Sequence, residues 1–254
     1  MNKFIDLYKS ISIDTWDRLE FANKTDSSFS ETTATENLLY SITKYIRDSK
    51  DKSILLYESK NERVNGDDLE IYLEIENNKY IYLAIQAKRL YTKSQKYKAI
   101  SHKVNKKYQI DLLLEHAKRE KGIPLYLLYN YAPNFKNKNK NKKNYGCSIT
   151  KADYIYKKFY PKNSSRWKIP SFDDLHTRNA IPLYMLGNNK CFNKFISPYC
   201  RKLKLYNNSE LIDNNSWVKI EELKYKDKEI IKNENFIKDE DASFIPKFKI
   251  ILKI

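Results

Sequence analysis

The residues of this 254-residue chain that could do chemistry gather around two alternating segments, "GDDLEIYLEI" (Gly66 to Ile75) and "YIYLAIQAKRL" (Tyr80 to Leu90). Residues of one parity share a face of a strand. Leu69, Ile71, Leu73 and Ile75 therefore oppose Asp68, Glu70, Tyr72 and Glu74, while Ile81, Leu83, Ile85 and Ala87 oppose Gln86 and Lys88. Directly opposed residues of an antiparallel pair point the same way, so the apolar sets match only if paired residue numbers sum to an even value, as in Ile75 with Ile81 or Ile71 with Ile85. A two-residue turn at Asn77-Asn78 gives an odd sum, so a loop of three or five residues is expected. This register brings Asp68 and Glu70 beside Gln86 and Lys88. Carboxylate and amide oxygens suit hard divalent cations, and an amine can orient or deprotonate water. A solvated sheet face would be polar in the same way.

The elements around this hairpin are legible in outline. "SSFSETTATENLLYSITKYIRDS" predicts a helix from about Ser28 to Asp48, with Leu38, Leu39, Ile42 and Ile46 at helical spacing and Ser28 and Glu31 in a capping-box pattern. After the hairpin, a helix is expected over about Asn105 to Lys121, with Ile110, Leu113, Leu114 and Ala117 as its apolar stripe and Gly122 ending it. "LYLLYN" then reads as a fully apolar strand, as where a crossover helix returns to a covered sheet. Beyond it come a helix after Thr150, a short strand at "IPLYML" and an edge strand at "KFKIILKI". The fold class is α/β.

Composition narrows the function. The hydrophobic fraction of 41% supplies a sizeable core, and four Gly and seven Pro leave no linker-like run, so residues 1–254 are read as a single domain. The apolar runs are too short to span a bilayer and "MNKFIDLYKS" has no signal-peptide core, so a soluble, cytoplasmic protein is expected. Three cysteines, Cys147, Cys191 and Cys200, lack C-x-x-C spacing and are read as buried thiols rather than disulfides or zinc ligands. The formal charge of +16 suggests a polyanionic partner, although a bias towards Lys, Asn, Ile and Tyr raises it throughout the chain. The run "NFKNKNKNKKNYG", Asn134 to Gly146, is read as a mobile, solvated loop. His102, His116 and His176 form no metal-ligand spacing and are given ordinary surface roles. No phosphate-cradling Gly-rich loop, serine elbow or Cys/His nucleophile pair is present, so no ATP-driven activity is encoded.

"NGDDLEIYLEI" followed by "YIYLAIQAKRL" resembles the core of the PD-(D/E)xK nuclease superfamily, in which an Asp precedes a hairpin whose second strand ends in Glu/Asp-x-Lys. The "QAKR" variant is similar to Mrr-type restriction endonucleases. With the Glu-containing helix and "GIPLYLLYN", the chain also resembles an uncharacterised bacterial family of that superfamily. The resemblance covers about Ser28 to Asn130. It implies a restriction-endonuclease-like core at about 28–130, a mixed sheet with a β-hairpin, crossover helix and flanking helices, and a C-terminal elaboration over 131–254.

The implied activity is metal-dependent endonuclease cleavage of nucleic acid, DNA before RNA, in defence against foreign DNA. Phosphodiester hydrolysis needs an activated water and neutralisation of growing charge, which Mg²⁺ or Mn²⁺ supplies when held by hard oxygen ligands. By analogy Asp68 is the leading ligand, Gln86 offers its amide oxygen, the Ala87 carbonyl adds another, and Lys88 orients or deprotonates the water. A helix glutamate completes such sites: Glu31 lies near the line of Leu38, Ile42 and Ile46, with Glu36 on the flank as its competitor and a capping role as the plainer use of Glu31. Glu70 is a further ligand or a supporting residue, or else a cross-strand ion pair, with Lys88 a candidate partner. Such nucleases often act as homodimers; a separate activating subunit is left open. The alternative is a catalytically inactive nucleic-acid-binding module of the same fold, because Gln86 replaces a charged ligand; a third reading is an interaction protein whose basicity is compositional.

Overall fold

The computed structural model describes residues 3–50, 52–59, 69–135, 141–160, 167–211, 216–220 and 246–253. The chain opens with α1 (Lys3–Thr25), whose buried Phe4, Leu7, Tyr8, Ile11, Trp16, Leu19 and Ala22 recur at helical spacing. The same period is legible in the sequence of residues 4–22. Helix α2 (Glu31–Ser49) starts three residues later than expected: Ser30, not Ser28, is its cap, and the Ser30 hydroxyl accepts from the Thr33 N–H at 3.0 Å. Ala34, Leu38, Leu39, Ile42 and Ile46 form its buried stripe.

Strand β1 (Ile54–Ser59) precedes the hairpin of β2 (Leu69–Glu76) and β3 (Lys79–Arg89). Strand parity and turn length come apart here. Asn77 and Asn78 do form the two-residue turn that parity had excluded, with Asn78 at φ 57 and its N–H donating to Glu74. The register shifts between Glu74, opposite Tyr80, and Glu76, opposite Lys79. One extra residue at Ile75 restores the even sum, as a β-bulge does, and Ile75 itself becomes exposed. The apolar sets meet as expected in kind, two residues from the expected pairs: Leu73 opposes Ile81 and Leu69 opposes Ile85.

A two-residue pairing of β4 (Lys103–Val104) and β5 (Lys107–Tyr108) precedes α3 (Gln109–Arg119), so the expected helix starts four residues late. The αL residue at its end is Lys121 (φ 50); Gly122 is needed for close approach instead, since a Cβ there would lie 2.8 Å from the Tyr82 carbonyl oxygen. Helix α3 crosses over to β6 (Ile123–Tyr129), buried at every residue and parallel to β3. There follow β7 (Cys147–Lys151), α4 (Ala152–Phe159), α5 (Phe172–His176), β8 (Ala180–Pro182), α6 (Asn189–Ile196), β9 (Tyr206–Asn207), β10 (Trp217–Lys219) and β11 (Phe248–Leu252). "IPLYML" is strand only to Pro182 and then a 3-10 turn over Leu183–Gly187.

The sheet is mixed, in the order β10-β1-β11-β2-β3-β6-β7-β8, with β9 on the start of β3. Strand β11 is not the expected edge strand. It lies between β1 and β2, antiparallel to the first and parallel to the second, with all five residues buried. A run of FKIIL can sit there because both of its faces are covered. The sheet therefore takes strands from both sides of residue 131, and that position marks no break in it. The basic run 134–146 ends in a 3-10 turn, Lys142–Tyr145, with Lys143 paired to Asp17 at 2.7 Å; residues 136–140 lie outside the described residues.

Two histidines and two cysteines depart from expectation. His116 and His176 are buried rather than superficial, and burial lowers their pKa to about 4 and about 3. His176 stacks on Phe172, donates from Nδ1 to the Phe172 carbonyl at 2.9 Å and accepts from Ser148 at 2.7 Å, a neutral imidazole inside the core. Cys147 is buried, whereas Cys191 and Cys200 are exposed. No described helix is long and apolar enough to cross a membrane.

Candidate active site at the end of the central hairpin

Strands β3 and β6 run parallel and end together at Arg89 and Tyr129. The carboxyl ends of such strands are where open α/β sheets usually bind ligands. Helix α2 is pinned over this end: Thr35 and the Tyr129 hydroxyl share a 2.9 Å hydrogen bond, and the Arg89 guanidinium donates to the Phe29 carbonyl at 2.6 Å.

The described part of β2 ends at Leu69, opposite Ile85, so β3 continues beyond it. Backbone groups alternate sides along a strand. The Leu90 N–H donates to the Tyr129 carbonyl of β6, so the Arg89 N–H and the Ala87 N–H and C=O face the other side, towards the β2 edge. Into that space comes the Glu31 carboxylate. One oxygen accepts from the Arg89 N–H at 2.6 Å and the other lies 3.7 Å from the Lys88 ammonium. Glu31 is thus spent on β3, not on a capping box with Ser28. Lys88 is nearly buried, its side chain 5% exposed, and Glu31 is its ion-pair partner among the described residues.

Gln86 lies one turn of the pleat before Lys88, 2% exposed, and its Oε1 has no hydrogen-bond partner among the described residues. A buried acceptor without a partner costs about 1–3 kcal/mol. Such an oxygen lies on the strand face of Lys88, whose ion-pair partner is Glu31, and it is of the type that hard cations take. The residues that would hold such a cation are Gln86, Glu31 and the Ala87 carbonyl. Asp68, expected to lead the set, lies outside the described residues, and among the described residues no three His, Cys, Asp or Glu side chains cluster as metal ligands.

The other two carboxylates are placed elsewhere. Glu36 is exposed on α2, five residues past Glu31 and away from its inward face. Glu70 shares the strand face of Gln86 and Lys88, but its carboxylate pairs with Lys249 of β11 at 3.0 Å and takes a 3.4 Å contact from the Tyr82 hydroxyl. The cross-strand ion pair weighed for Glu70 therefore exists, with Lys249 in the place of Lys88. Burial raises the Glu70 pKa, and Lys249 opposes that shift. Tyr82 links on to His116 at 2.8 Å, and Arg119 reaches the other His116 nitrogen at 2.8 Å. Lys249 was missed in the sequence. The available signal was a lysine in the middle of an otherwise apolar run.

No curated protein and no solved structure matches this chain. Over residues 4–237, all but the last strand, it matches a family of unknown function, DUF6615. The chain, with buried Gln86 and Lys88 and half-buried Glu31 at one hairpin end, belongs to that family.

Proposed function

We propose that the protein is a metal-dependent nuclease of restriction-endonuclease-like fold, cleaving phosphodiester bonds of nucleic acid in the cytoplasm, with defence against foreign DNA as its setting. The observation that carries this reading is the unpartnered, buried Oε1 of Gln86 next to the Glu31–Lys88 pair. Buried side-chain oxygens usually have a partner; among the described residues Gln109 Oε1 and the Tyr8 and Tyr80 hydroxyls lack one as well, and Gln86 is distinguished by its place two residues from Lys88. Asp68, joined directly to Leu69 at the start of β2, is proposed to complete the oxygen set with Glu31, Gln86 and Ala87. Mg²⁺ or Mn²⁺ held there supplies charge neutralisation and an acidified water. The chain's own part falls to two residues. Glu31, fixed by the Arg89 N–H, holds Lys88 at the strand end, and the Lys88 ammonium orients the attacking water and stabilises charge growing on the phosphate.

Purified protein incubated with supercoiled plasmid, single-stranded DNA and RNA, with Mn²⁺, Mg²⁺ or EDTA, tests the reading. Metal-dependent cleavage that falls about a hundredfold or more in Lys88→Ala, with nucleic-acid binding little changed, is expected. Equal loss of binding and cleavage would reduce Lys88 to a phosphate contact. The second reading, a binding module that keeps the fold without catalysis, is favoured by the neutral amide at position 86. Salt-sensitive binding with no cleavage in any metal would establish it.

A further inference from the structure

Next to the hairpin end lies a cleft of about 270 Å³, bounded by the end of α1, the chain leading into α2, and the segment that follows β3. Asn23, Asp26, Arg89, Tyr91, Lys93 and Lys98 are among its walls. Tyr91 is 38% exposed, and two cations lie over its ring, the Arg89 guanidinium at 5.2 Å and the Lys98 ammonium at 5.5 Å from the centroid. Neither cationic group is paired with a described carboxylate; the Arg89 guanidinium donates to the Phe29 carbonyl. Lys93 does pair, with Asp26 at 3.4 Å, but both are exposed and that pair is screened.

This wall is built before any ligand arrives. The Tyr91 N–H donates to the Lys96 carbonyl at 3.0 Å and closes a turn in which Gln95 takes φ 52. The Gln95 amide donates to the Thr92 and Tyr131 carbonyls at 2.8 and 3.2 Å, and the Phe172 N–H holds the Gln95 carbonyl at 3.0 Å. An aromatic residue whose backbone is held in a pinned turn needs little further backbone ordering to present its ring to a planar group. Unpaired cations at its rim ask for an anion.

We infer that this cleft holds one unpaired nucleotide of the strand that enters the hairpin end, its base on Tyr91 and its phosphate between Arg89 and Lys98. The volume takes a single base with its phosphate, whereas a base pair hides both faces of its bases in the stack and offers Tyr91 nothing. This deepens the nuclease reading by naming single-stranded nucleic acid, or an unpaired segment, as the substrate. Stacking and phosphate pairing of this kind are tolerant of sequence, so little base preference follows.

The test is anisotropy binding in EDTA, where no cleavage occurs, of labelled single-stranded DNA, single-stranded RNA of the same sequence, and the DNA duplex. Single strands are expected to bind at least about tenfold more tightly than the duplex at one salt concentration. Tyr91→Ala should lose about tenfold or more on single strands, Tyr91→Phe should keep most of the affinity, and the exposed Lys98→Ala should lower the salt slope by about one. Thermal melting by circular dichroism checks that the variants are folded. Equal or tighter duplex binding, an unaffected Tyr91→Ala, or a Tyr91→Phe as weak as Tyr91→Ala would overturn the inference. The DNA and RNA arms then name the sugar. If single strands bind through Tyr91 while no metal yields cleavage, the nuclease reading falls and the cleft stands.

Discussion

Gln86 is the residue on which the metal question turns. A neutral amide leaves the oxygen set one negative charge short of a glutamate site, so affinity for a hard cation depends on what else enters the shell. Replacing Gln86 with Glu should tighten Mg²⁺ or Mn²⁺ binding in the absence of nucleic acid, and Asp68→Asn should weaken it, both read by titration calorimetry. Activity need not rise with affinity, because a second carboxylate near Lys88 would compete with Glu31 for the ammonium and repel the scissile phosphate. If neither substitution changes metal affinity, the hairpin holds no metal and the binding-module reading replaces the nuclease.

At the scale of elements, the site depends on where α2 begins. Ser30 caps that helix through the Thr33 N–H and shares a 2.8 Å hydrogen bond with the Thr33 hydroxyl, and the next residue is Glu31. Ser30→Ala should cost about 1 kcal/mol, the usual loss for such a cap, which for a chain of this size lowers Tm by about 2–4 °C. Because the first turn carries Glu31 to β3, cleavage in this variant should fall more than the small loss of stability explains. A melting curve paired with an activity assay on the same preparation separates the two effects. The hairpin makes a related point about elements. Its apolar faces fixed the parity, and the Asn77-Asn78 turn fixed the loop; the chain reconciles them by a bulge at Ile75.

Across the whole molecule, the Glu70–Lys249 pair ties the last strand to the central hairpin. Glu70 is 6% and Lys249 5% exposed, the Lys249 ammonium also donates to the Leu211 carbonyl at 2.9 Å, and it lies over the Trp217 ring at 4.3 Å. Removing one partner of a buried pair strands the other charge, at a cost of about 3–5 kcal/mol. Lys249→Met should therefore destabilise the fold strongly, and the double variant Glu70→Gln, Lys249→Met should recover much of the loss. Urea unfolding of the wild type, both single variants and the double variant completes the cycle. Near additivity would mean that the two charges are not coupled and that β11 is held by its apolar residues alone.

By itself the sequence determined what depends on neighbours along the chain. The period of two in residues 69–75 and 80–88, the period of 3.6 in α2 and α3 and the apolar run of β6 gave the α/β order and the shared face of Glu70, Gln86 and Lys88, because side-chain direction follows local backbone geometry. The preference for Glu31 over Glu36 came from the same helical angle. Tertiary structure decided what depends on distant partners. Nothing near Lys249 says that it meets Glu70, nothing near Lys88 says that it meets Glu31, and nothing in KFKIILKI separates an edge strand from one inserted between β1 and β2. Strand insertion and charge pairing are settled by which surfaces remain to be covered once the local elements have formed, and that is a property of the packed chain rather than of any segment.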